Sequence, residues 1–330
     1  MIENSSVIVA VEIEVCMICE IKICILCGNS LILYVKLIII PESVTELGEK
    51  TFSGCKTLKS ITIPESVTTI GEKTFSDCRS LKSITIPKSV TEIGYQAFKN
   101  CSSLESVILS EGITKIGEEA FYLCTSLKNI TIPESVTKIL DHAFGACTSL
   151  ESIVIPKGVT NINKWVVSGC TSLKNFIIPE SVTDIYDLAF AGCTSLESIT
   201  IPESVTVIRA CIFKDCRSLK SVTIPESVTK IGHAAFCDCT SLESIVIPKG
   251  VKEIDNFAFF CCTSLTAVTL PVGVNDIACS AFYDCSALSK IYVPAKKADY
   301  YKRRLPVDTP EQLHDKIVEL APEKKTKAKK

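Results

Sequence analysis

The apolar residues between positions 64 and 86 recur at seven places, which are Val67, Ile70, Phe75, Cys78, Leu81, Ile84 and Ile86. Near the end of this stretch, Ile84, Thr85 and Ile86 alternate between apolar and polar, which is the period of a β-strand with one buried face. Pro87 follows directly and lacks the N–H group that further pairing needs, so it ends the strand. The pattern therefore predicts one short strand per stretch, with Thr85 on its outer face.

The rest of the stretch predicts a second extended segment and a single turn of helix. Val67–Ile70 is rich in β-branched residues, which favour strands. Gly71 turns the chain, and Glu72–Ser76 is long enough for one helical turn, which needs its neighbours for stability. The next position mostly holds residues that tolerate a left-handed conformation at a helix end, namely Gly54, Asp77, Asn100, Gly169, Gly192, Asp215, Asp238 and Asp284. Local strain or a different winding is expected at the exceptions, Leu123, Ala146 and Cys261.

This stretch is one of eleven copies with a period of 23 residues, which run without insertion or deletion from residue 41 to 293. Its proline recurs at Pro41, Pro64, Pro87, Pro133, Pro156, Pro179, Pro202, Pro225, Pro248, Pro271 and Pro294, with Ser110 in the one vacant place. A single copy cannot bury seven apolar positions, whereas stacked copies can. The repeat therefore predicts a solenoid whose strands pair in parallel along one side.

The two ends of the chain depart from the repeat, as the ends of a solenoid must in order to cover its open core. We divide the chain into an N-terminal cap with a degenerate first repeat, the repeats, a C-terminal cap and a disordered basic tail, at residues 1–40, 41–293, 294–321 and 322–330. A capping-box pattern predicts a helix at about 310–320 in the C-terminal cap. Tyr300 and Tyr301 are expected to lie over the last repeat.

Composition and charge narrow the classes of function. The chain has 330 residues and a net charge of −2, so nothing global points to nucleic acid or to an anionic membrane. No run of 18 apolar residues is present, so no membrane span is predicted. The first residues carry Glu3, Glu12 and Glu14 and lack a basic n-region, which favours a cytoplasmic location over export.

Nineteen cysteines are present, and eleven of them occupy one column of the repeat. A column at fixed spacing predicts a packing position, because free cysteine behaves as a small buried hydrophobe. Cys16, Cys19, Cys24 and Cys27 form two C-x-x-C pairs, which suggests zinc. The short gap between the two pairs and the many Ile and Val residues around them favour packing thiols instead.

The repeat closely resembles the BspA-like subclass of leucine-rich repeats. The motif stands here as Leu81-x-x-Ile84-x-Ile86-Pro87-x-x-Val90-x-x-Ile93-Gly94-x-x-Ala97-Phe98-x-x-Cys101. The resemblance implies an α/β repeat fold: a β-rich, right-handed solenoid with a parallel sheet on its concave side and short extended segments and single helical turns elsewhere. It also implies a cell-surface or secreted protein that binds host or matrix proteins. The glycine of the motif is replaced in six copies, so the local turn is in question at Leu140, Asn163, Tyr186, Arg209, Asp255 and Ala278.

No constellation of residues predicts catalysis. Only three histidines are present: His142 and His233 are four repeats apart, and His314 lies in the C-terminal cap. No phosphate-binding, dinucleotide-binding, nucleophile-elbow or zinc-protease motif occurs. We therefore expect no enzyme activity, no cofactor and no metal site.

Two surfaces are candidates for binding a protein. The outer strand position includes Thr85, Thr131, Thr200 and Thr223 and gives a hydroxyl-rich face. This face is either a broad docking surface or a row of β-branched residues that simply pack well. The second candidate surface is the middle position of the predicted helical turn, which becomes apolar in the later repeats and includes Trp165, Leu188 and Phe257. Phe260 lies three residues after Phe257. This second surface is either an interaction stripe, which would also serve self-association, or a set of side chains that turn inward or lie under the C-terminal cap.

These observations predict a non-catalytic protein-binding solenoid, with adhesion to a host or matrix protein as its role. The alternative is an intracellular scaffold for protein–protein interaction, which the absence of an export signal favours. The protein ligand itself is not encoded in any recognisable motif.

Overall fold

The computed structural model describes residues 38–303, 305 and 313–321. These residues belong to two compact units, 1–181 and 182–330. The cap expected at the N-terminus lies outside the described residues except for its last three positions. The two C-x-x-C pairs and the basic tail also lie outside them.

The first unit is a parallel β-solenoid in which each 23-residue turn, or rung, contributes short strands. Its strands are β1 (Glu46–Leu47), β2 (Thr69–Ile70), β3 (Ser83–Ile86), β4 (Glu92–Ile93), β5 (Ser106–Leu109), β6 (Lys115–Ile116), β7 (Asn129–Thr131), β8 (Lys138–Ile139), β9 (Ser152–Val154), β10 (Asn161–Ile162) and β11 (Asn175–Ile177). β3, β5, β7, β9 and β11 form one parallel sheet, and β1, β2, β4, β6 and β8 form a second. Paired residues are 23 positions apart, as in Ser83 with Ser106, so the repeat sets the register.

The second unit has the same construction. Its strands are β12 (Asp184–Ile185), β13 (Ser198–Thr200), β14 (Val207–Ile208), β15 (Ser221–Thr223), β16 (Lys230–Ile231), β17 (Ser244–Val246), β18 (Glu253–Ile254), β19 (Ala267–Thr269), β20 (Asp276–Ile277), β21 (Lys290–Val293) and β22 (Ile317–Glu319). β13 pairs with β15, β17 with β19 and β19 with β21, all in parallel. β14, β16, β18 and β20 form the second sheet of this unit. The predicted parallel strands and second extended segments are confirmed.

Phenylalanine rings form a stack within each unit, and a column of cysteines is buried in the core. In the first unit the rings from Phe52 to Phe144 stack with neighbouring centroids 5.2–5.5 Å apart. In the second unit the rings from Phe190 to Phe282 do so at 5.2–5.4 Å. We call the column from Cys55 to Cys285 the cysteine ladder; from Cys78 onward its side chains are fully buried, as predicted.

The predicted single helical turn is wrong. Its position holds a series of tight turns, because alternate N–H groups donate to the next rung instead of back along the chain. The N–H of Lys73 donates to Tyr95 O and that of Phe75 to Ala97 O, each at 2.8 Å, whereas the N–H of Ser76 returns to Lys73 O at 3.1 Å. This geometry places the middle residue of each turn at positive φ. We call these residues the left-handed column: Lys50, Lys73, Gln96, Glu119, His142, Trp165, Leu188, Cys211, Ala234 and Phe257.

The position predicted to be left-handed, at Asp77, has that conformation throughout. Asp77 has φ 61°, and Gly54 has φ 75°. The exceptions Leu123, Ala146 and Cys261 have φ values of 62°, 55° and 56°, so they keep the same winding and carry the strain of a side chain in that region.

The turn stays intact where Leu140 replaces the motif glycine, because its backbone hydrogen bond is kept. The N–H of Gly117 donates to Ile93 O at 2.9 Å, and the N–H of Leu140 donates to Ile116 O at 3.0 Å. At Leu140 the rung-to-rung hydrogen bond is therefore kept without glycine. The local geometry questioned from sequence is retained at Leu140.

The C-terminal segment differs from the predicted helix. Over its described part, Leu313–Lys316 is a short 3-10 helix, and β22 then pairs in parallel with β21. One short helix, α1 (Ala298–Lys302), precedes this segment. Tyr301 of α1 is fully buried and its hydroxyl donates to Pro271 O, which confirms that this residue packs at the end of the repeats. The carboxylate of Glu319 accepts the N–H groups of Lys296 and Ala298, and these bonds lower its pKa.

Candidate functional site

The outer face of the first unit's sheet carries a row of exposed β-branched side chains. The row, in rung order, is Thr85, Ile108, Thr131, Val154 and Ile177, and the strand register places each beside the next. Ile108, Val154 and Ile177 are 58%, 62% and 73% exposed. The predicted threonines Thr85 and Thr131 are exposed in the same row. We call this surface the first sheet face.

Two polar columns run beside this row. Nearest to it are Ser83, Ser106, Asn129, Ser152 and Asn175, and next come the charged residues Lys82, Glu105, Lys128, Glu151 and Lys174. Both columns are exposed. Part of them borders a groove of about 620 Å³ lined by Glu105, Ser106, Ser126, Lys128, Asn129 and Ser149. The face thus combines an aliphatic row with hydrogen-bonding groups and charges of both signs.

The corresponding face of the second unit is less apolar. Thr200 and Thr223, which were predicted as binding residues, pair in register and are exposed. Val246 is the one aliphatic residue of its row that is strongly exposed, at 68%, within the described part of this unit. Thr269 and Tyr292 are half-buried. This surface presents mainly hydroxyl groups.

Trp165 lies in a mixed aromatic and charged cluster of the first unit. Its ring packs on the imidazole of His142 with centroids 4.3 Å apart, and His142 meets the edge of Tyr122 at 5.6 Å. Trp165 is half-buried, not fully exposed. Burial lowers the pKa of His142, although the charge of Glu119 acts in the opposite direction.

Glu119 joins this cluster to a hydrogen-bond network on the preceding rung. Its carboxylate accepts bonds from Lys99 Nζ at 2.6 Å and from Gln96 Nε2 at 2.8 Å. Partial burial raises the pKa of Glu119, but the two hydrogen bonds outweigh that effect and the net pKa lies below its ordinary value. The polar groups beside Trp165 are therefore bound to one another.

In the second unit, exposed aromatic rings gather near Phe257. Phe257 and Tyr283 are each 40% exposed, and Phe260 lies between them, perpendicular to Phe257 at 5.5 Å and stacked on Tyr283 at 5.9 Å. We call these three residues the aromatic cluster. Tyr283 occupies the same repeat position as Phe260, one rung later.

Within the second unit, the predicted apolar stripe is not continuously exposed. Trp165 belongs to the first unit, whereas Leu188, Phe257 and Phe260 belong to the second. Within the second unit, Leu188 is half-buried and Ala234 is buried between it and Phe257. Of the apolar residues of this column that the structure describes, Phe257 is the most exposed. Side-chain direction here follows from positive φ, which the sequence pattern did not indicate.

The thiols of the cysteine ladder are held as hydrogen-bond donors. The Sγ–H of Cys101 donates to Phe75 O at 3.1 Å, and that of Cys147 donates to Phe121 O at 3.2 Å. Burial raises the pKa of both thiols to about 12. Since the thiolate is the nucleophile and the metal ligand, these groups are chemically inert in the folded protein.

The titratable groups do not converge on a reaction centre within the described ranges. His233 packs against the edge of Phe257, and His314 Nε2 lies 2.8 Å from Leu305 O. In the part of the chain that the structure describes, no group of three or more His, Cys, Asp or Glu residues has the arrangement of a metal site. None of the helices found there is long and apolar enough to cross a membrane.

Comparison with known proteins agrees with this geometry. A family model described as the BspA type leucine rich repeat region matches residues 32–144, 93–220 and 206–303. A leucine-rich repeat protein from Bacteroides ovatus is 33% identical, with 87% of this chain and 84% of that chain aligned at a TM-score of 0.64. The pneumococcal vaccine antigen PcpA shares the fold at 19% identity and a TM-score of 0.58, with 87% of this chain and 79% of that one aligned. No relative was found among curated proteins. From its repeats, its parallel β-solenoid units and these matches, the chain belongs to the BspA-type leucine-rich repeat family.

Proposed function

We propose that this chain is a non-catalytic protein-binding solenoid whose first sheet face is its main docking surface. The observation that carries the proposal is the row of aliphatic side chains at Ile108, Val154 and Ile177, each more than half exposed. Exposed apolar residues grouped on one face tend to mark interaction sites, whereas scattered ones do not.

The surroundings of the row suit a protein ligand. The backbone groups of β3, β5, β7, β9 and β11 pair with one another, so a ligand meets side chains on this face instead of an open sheet edge. Protein interfaces typically combine an apolar centre with a polar rim. The row supplies the centre, and the serine, asparagine and charged columns supply one side of the rim.

Adhesion to a host or matrix protein is the role that we propose for this surface. Support comes from the family resemblance and from the fold shared with PcpA, which is a pneumococcal vaccine antigen. Thr200 and Thr223 on the second unit's sheet would provide a weaker, hydroxyl-rich contact.

An intracellular scaffold is the second candidate, favoured by the protonated thiols of the cysteine ladder. Surface labelling of intact cells, combined with thiol titration of the native protein, separates the two roles. Label on the cell surface supports adhesion, and an unlabelled intracellular pool supports the scaffold.

The docking surface is tested by changing Ile108, Val154 and Ile177 together to threonine, the residue that already occupies Thr85 and Thr131 in the same row. The matched control is Val272→Thr, because Val272 is also 58% exposed but lies outside the row. Binding to a panel of matrix and plasma proteins is measured by biolayer interferometry. We expect the triple variant to lose about tenfold or more in affinity, as removal of several interface anchors does. Equal affinity of the triple variant and the control would contradict the proposal.

Trp165 and the aromatic cluster are proposed as secondary contacts. Because they lie in different units, Trp165→Ala and Phe257→Ala are compared separately with wild type in the same binding assay. Alanine is accepted in the left-handed column at Ala234, so both variants should fold. Weaker ligand binding is expected for each, and unchanged binding by both would exclude this secondary role.

A further inference from the structure

The first sheet face shows an alternation that a single docking surface does not require. Along four successive rungs the charged column reads Glu105, Lys128, Glu151, Lys174. The next column reads Ser106, Asn129, Ser152, Asn175, and the outer row reads Ile108, Thr131, Val154, Ile177. The strand pairing places members of each column on adjacent rungs, about 4.8 Å apart.

If a second copy of the chain faces this surface with its rungs in the opposite order, unlike groups meet in the charged column and in the serine–asparagine column. Consider a two-fold axis that lies in the face, parallel to the strands, midway between β7 and β9. It places Lys128 opposite Glu151 of a second copy and Glu105 opposite Lys174. The same axis places Asn129 opposite Ser152, so an amide meets a hydroxyl.

The outer row is matched by the same operation. Ile108 comes opposite Ile177 of the second copy, so the two ends of the row make aliphatic contacts. Thr131 comes opposite Val154, and both are β-branched. One axis therefore satisfies charge, hydrogen bonding and apolar contact together, which is the self-complementarity that a two-fold interface needs.

We propose that the first sheet face is a self-association surface, on which a second copy of this chain packs with its rungs in the opposite order. This inference goes beyond the proposed binding of a foreign protein and does not rest on it. Contacts within one chain account for part of this pattern, because the Ser152 hydroxyl donates to Asn129 Oδ1 at 2.9 Å, but the charged column makes only weak contacts. Lys82 and Glu105 approach only to 3.8 Å on neighbouring rungs, and both are well exposed, so such a pair contributes little.

The size of the face predicts a weak, reversible dimer. Four rungs at about 4.8 Å and roughly three to four residues of each strand give a patch of a few hundred Å² per copy. Stable interfaces bury about 800 Å² per partner. Because this patch is smaller, we expect a weak dimer with a dissociation constant of roughly tens to hundreds of micromolar.

The register is tested by charge reversal in the purified full-length chain. Lys128→Glu places two like-charge contacts in the dimer, because the axis doubles each change, and Glu151→Lys does the same with the opposite sign. Each variant alone should dimerise at least about tenfold more weakly in sedimentation velocity at low ionic strength. An equimolar mixture of the two variants should recover dimerisation, since every 128–151 contact in the heterodimer again joins a carboxylate to an ammonium group.

Lys138→Glu is the matched control, because Lys138 is exposed on β8 in the other sheet of the same unit. It makes the same change of charge and should leave dimerisation unaltered, and equal melting temperatures of all variants exclude unfolding. A wild-type chain that stays monomeric up to about 500 μM, or a mixture that fails to recover, overturns the proposal. Dimerisation without binding to any foreign protein would contradict the proposed adhesion function alone.

Discussion

Gly94 offers a direct test of how closely the rungs of the first unit pack. Its α-carbon lies against the backbone of the preceding rung, so an added Cβ would stand 2.6 Å from the carbonyl carbon and oxygen of Gly71 and 2.7 Å from Ile70 O. The N–H of Gly94 also donates to Ile70 O at 3.0 Å. Gly94→Ala therefore pushes directly on a hydrogen bond that joins two rungs.

The magnitude follows from these distances. Ordinary van der Waals contact begins at 3.4 Å, so the backbone must move by about 0.8 Å, and the atoms in the way are not on a flexible side chain. Overpacking of this kind costs about 1–3 kcal/mol. Alanine also lowers the conformational entropy of the unfolded chain, which stabilises the folded state by about 0.4–1 kcal/mol. The net expectation for Gly94→Ala is a loss of roughly 1–2 kcal/mol in the free energy of unfolding.

Gly48→Ala is the matched control, since Gly48 occupies the same repeat position. Among the described residues, the nearest neighbour of its added Cβ would be Thr51 Oγ1, at 3.9 Å, so these residues impose no steric cost. Only the unfolded-state effect remains, and we expect a gain of about 0.4–1 kcal/mol.

Urea unfolding followed by far-UV circular dichroism measures both variants, and amide exchange of the Ile93 and Leu47 regions gives a local readout. The local measurement matters because repeat proteins can lose cooperativity between repeats. If Gly94→Ala is as stable as Gly48→Ala by both measurements, the close packing of the rungs at Gly94 is refuted.

Three further predictions concern backbone strain, pH and thiol reactivity. Ala146→Gly should stabilise the chain and Gly54→Ala should destabilise it, each by about 1 kcal/mol in urea unfolding, because both positions are left-handed; equal effects would contradict the strain. Because burial lowers the pKa of His142, this group favours the folded state above pH 6.5, and that contribution is lost as pH falls through the lower folded pKa. Emission of Trp165, the one tryptophan, should drop with a midpoint below pH 6.5 as the stacked imidazole becomes charged, and His142→Gln should abolish the transition. In the native protein Cys279, which is exposed, should react with a maleimide, while the cysteine ladder from Cys78 onward should not, as read by peptide mass mapping; rapid labelling of these buried thiols would contradict their burial.

The sequence by itself determined the repeat, the register and most of the core. The alternation at Ile84–Ile86 predicts its strand because the period of two is local, and the 23-residue spacing then forces that strand to pair with its neighbours. Burial of the cysteine ladder followed from the same reasoning, since a fixed column in a stack meets the same surroundings in every copy. The exposed threonines Thr85 and Thr131 were found in this way as well.

Only the tertiary structure decided the features that depend on backbone hydrogen bonds between rungs. Lys73 reads as part of a helical turn, yet its N–H bonds to Tyr95 O on the next rung, and this places the left-handed column at positive φ. The segment Ile317–Glu319 reads as helix from its local spacing, but it lies beside β21 and gains strand hydrogen bonds there. In both cases the deciding hydrogen-bond acceptor is 20 or more residues away, so no local pattern reveals it. The directions of Trp165 and Phe257, and therefore the interruption of the predicted stripe, follow from the same long-range bonding.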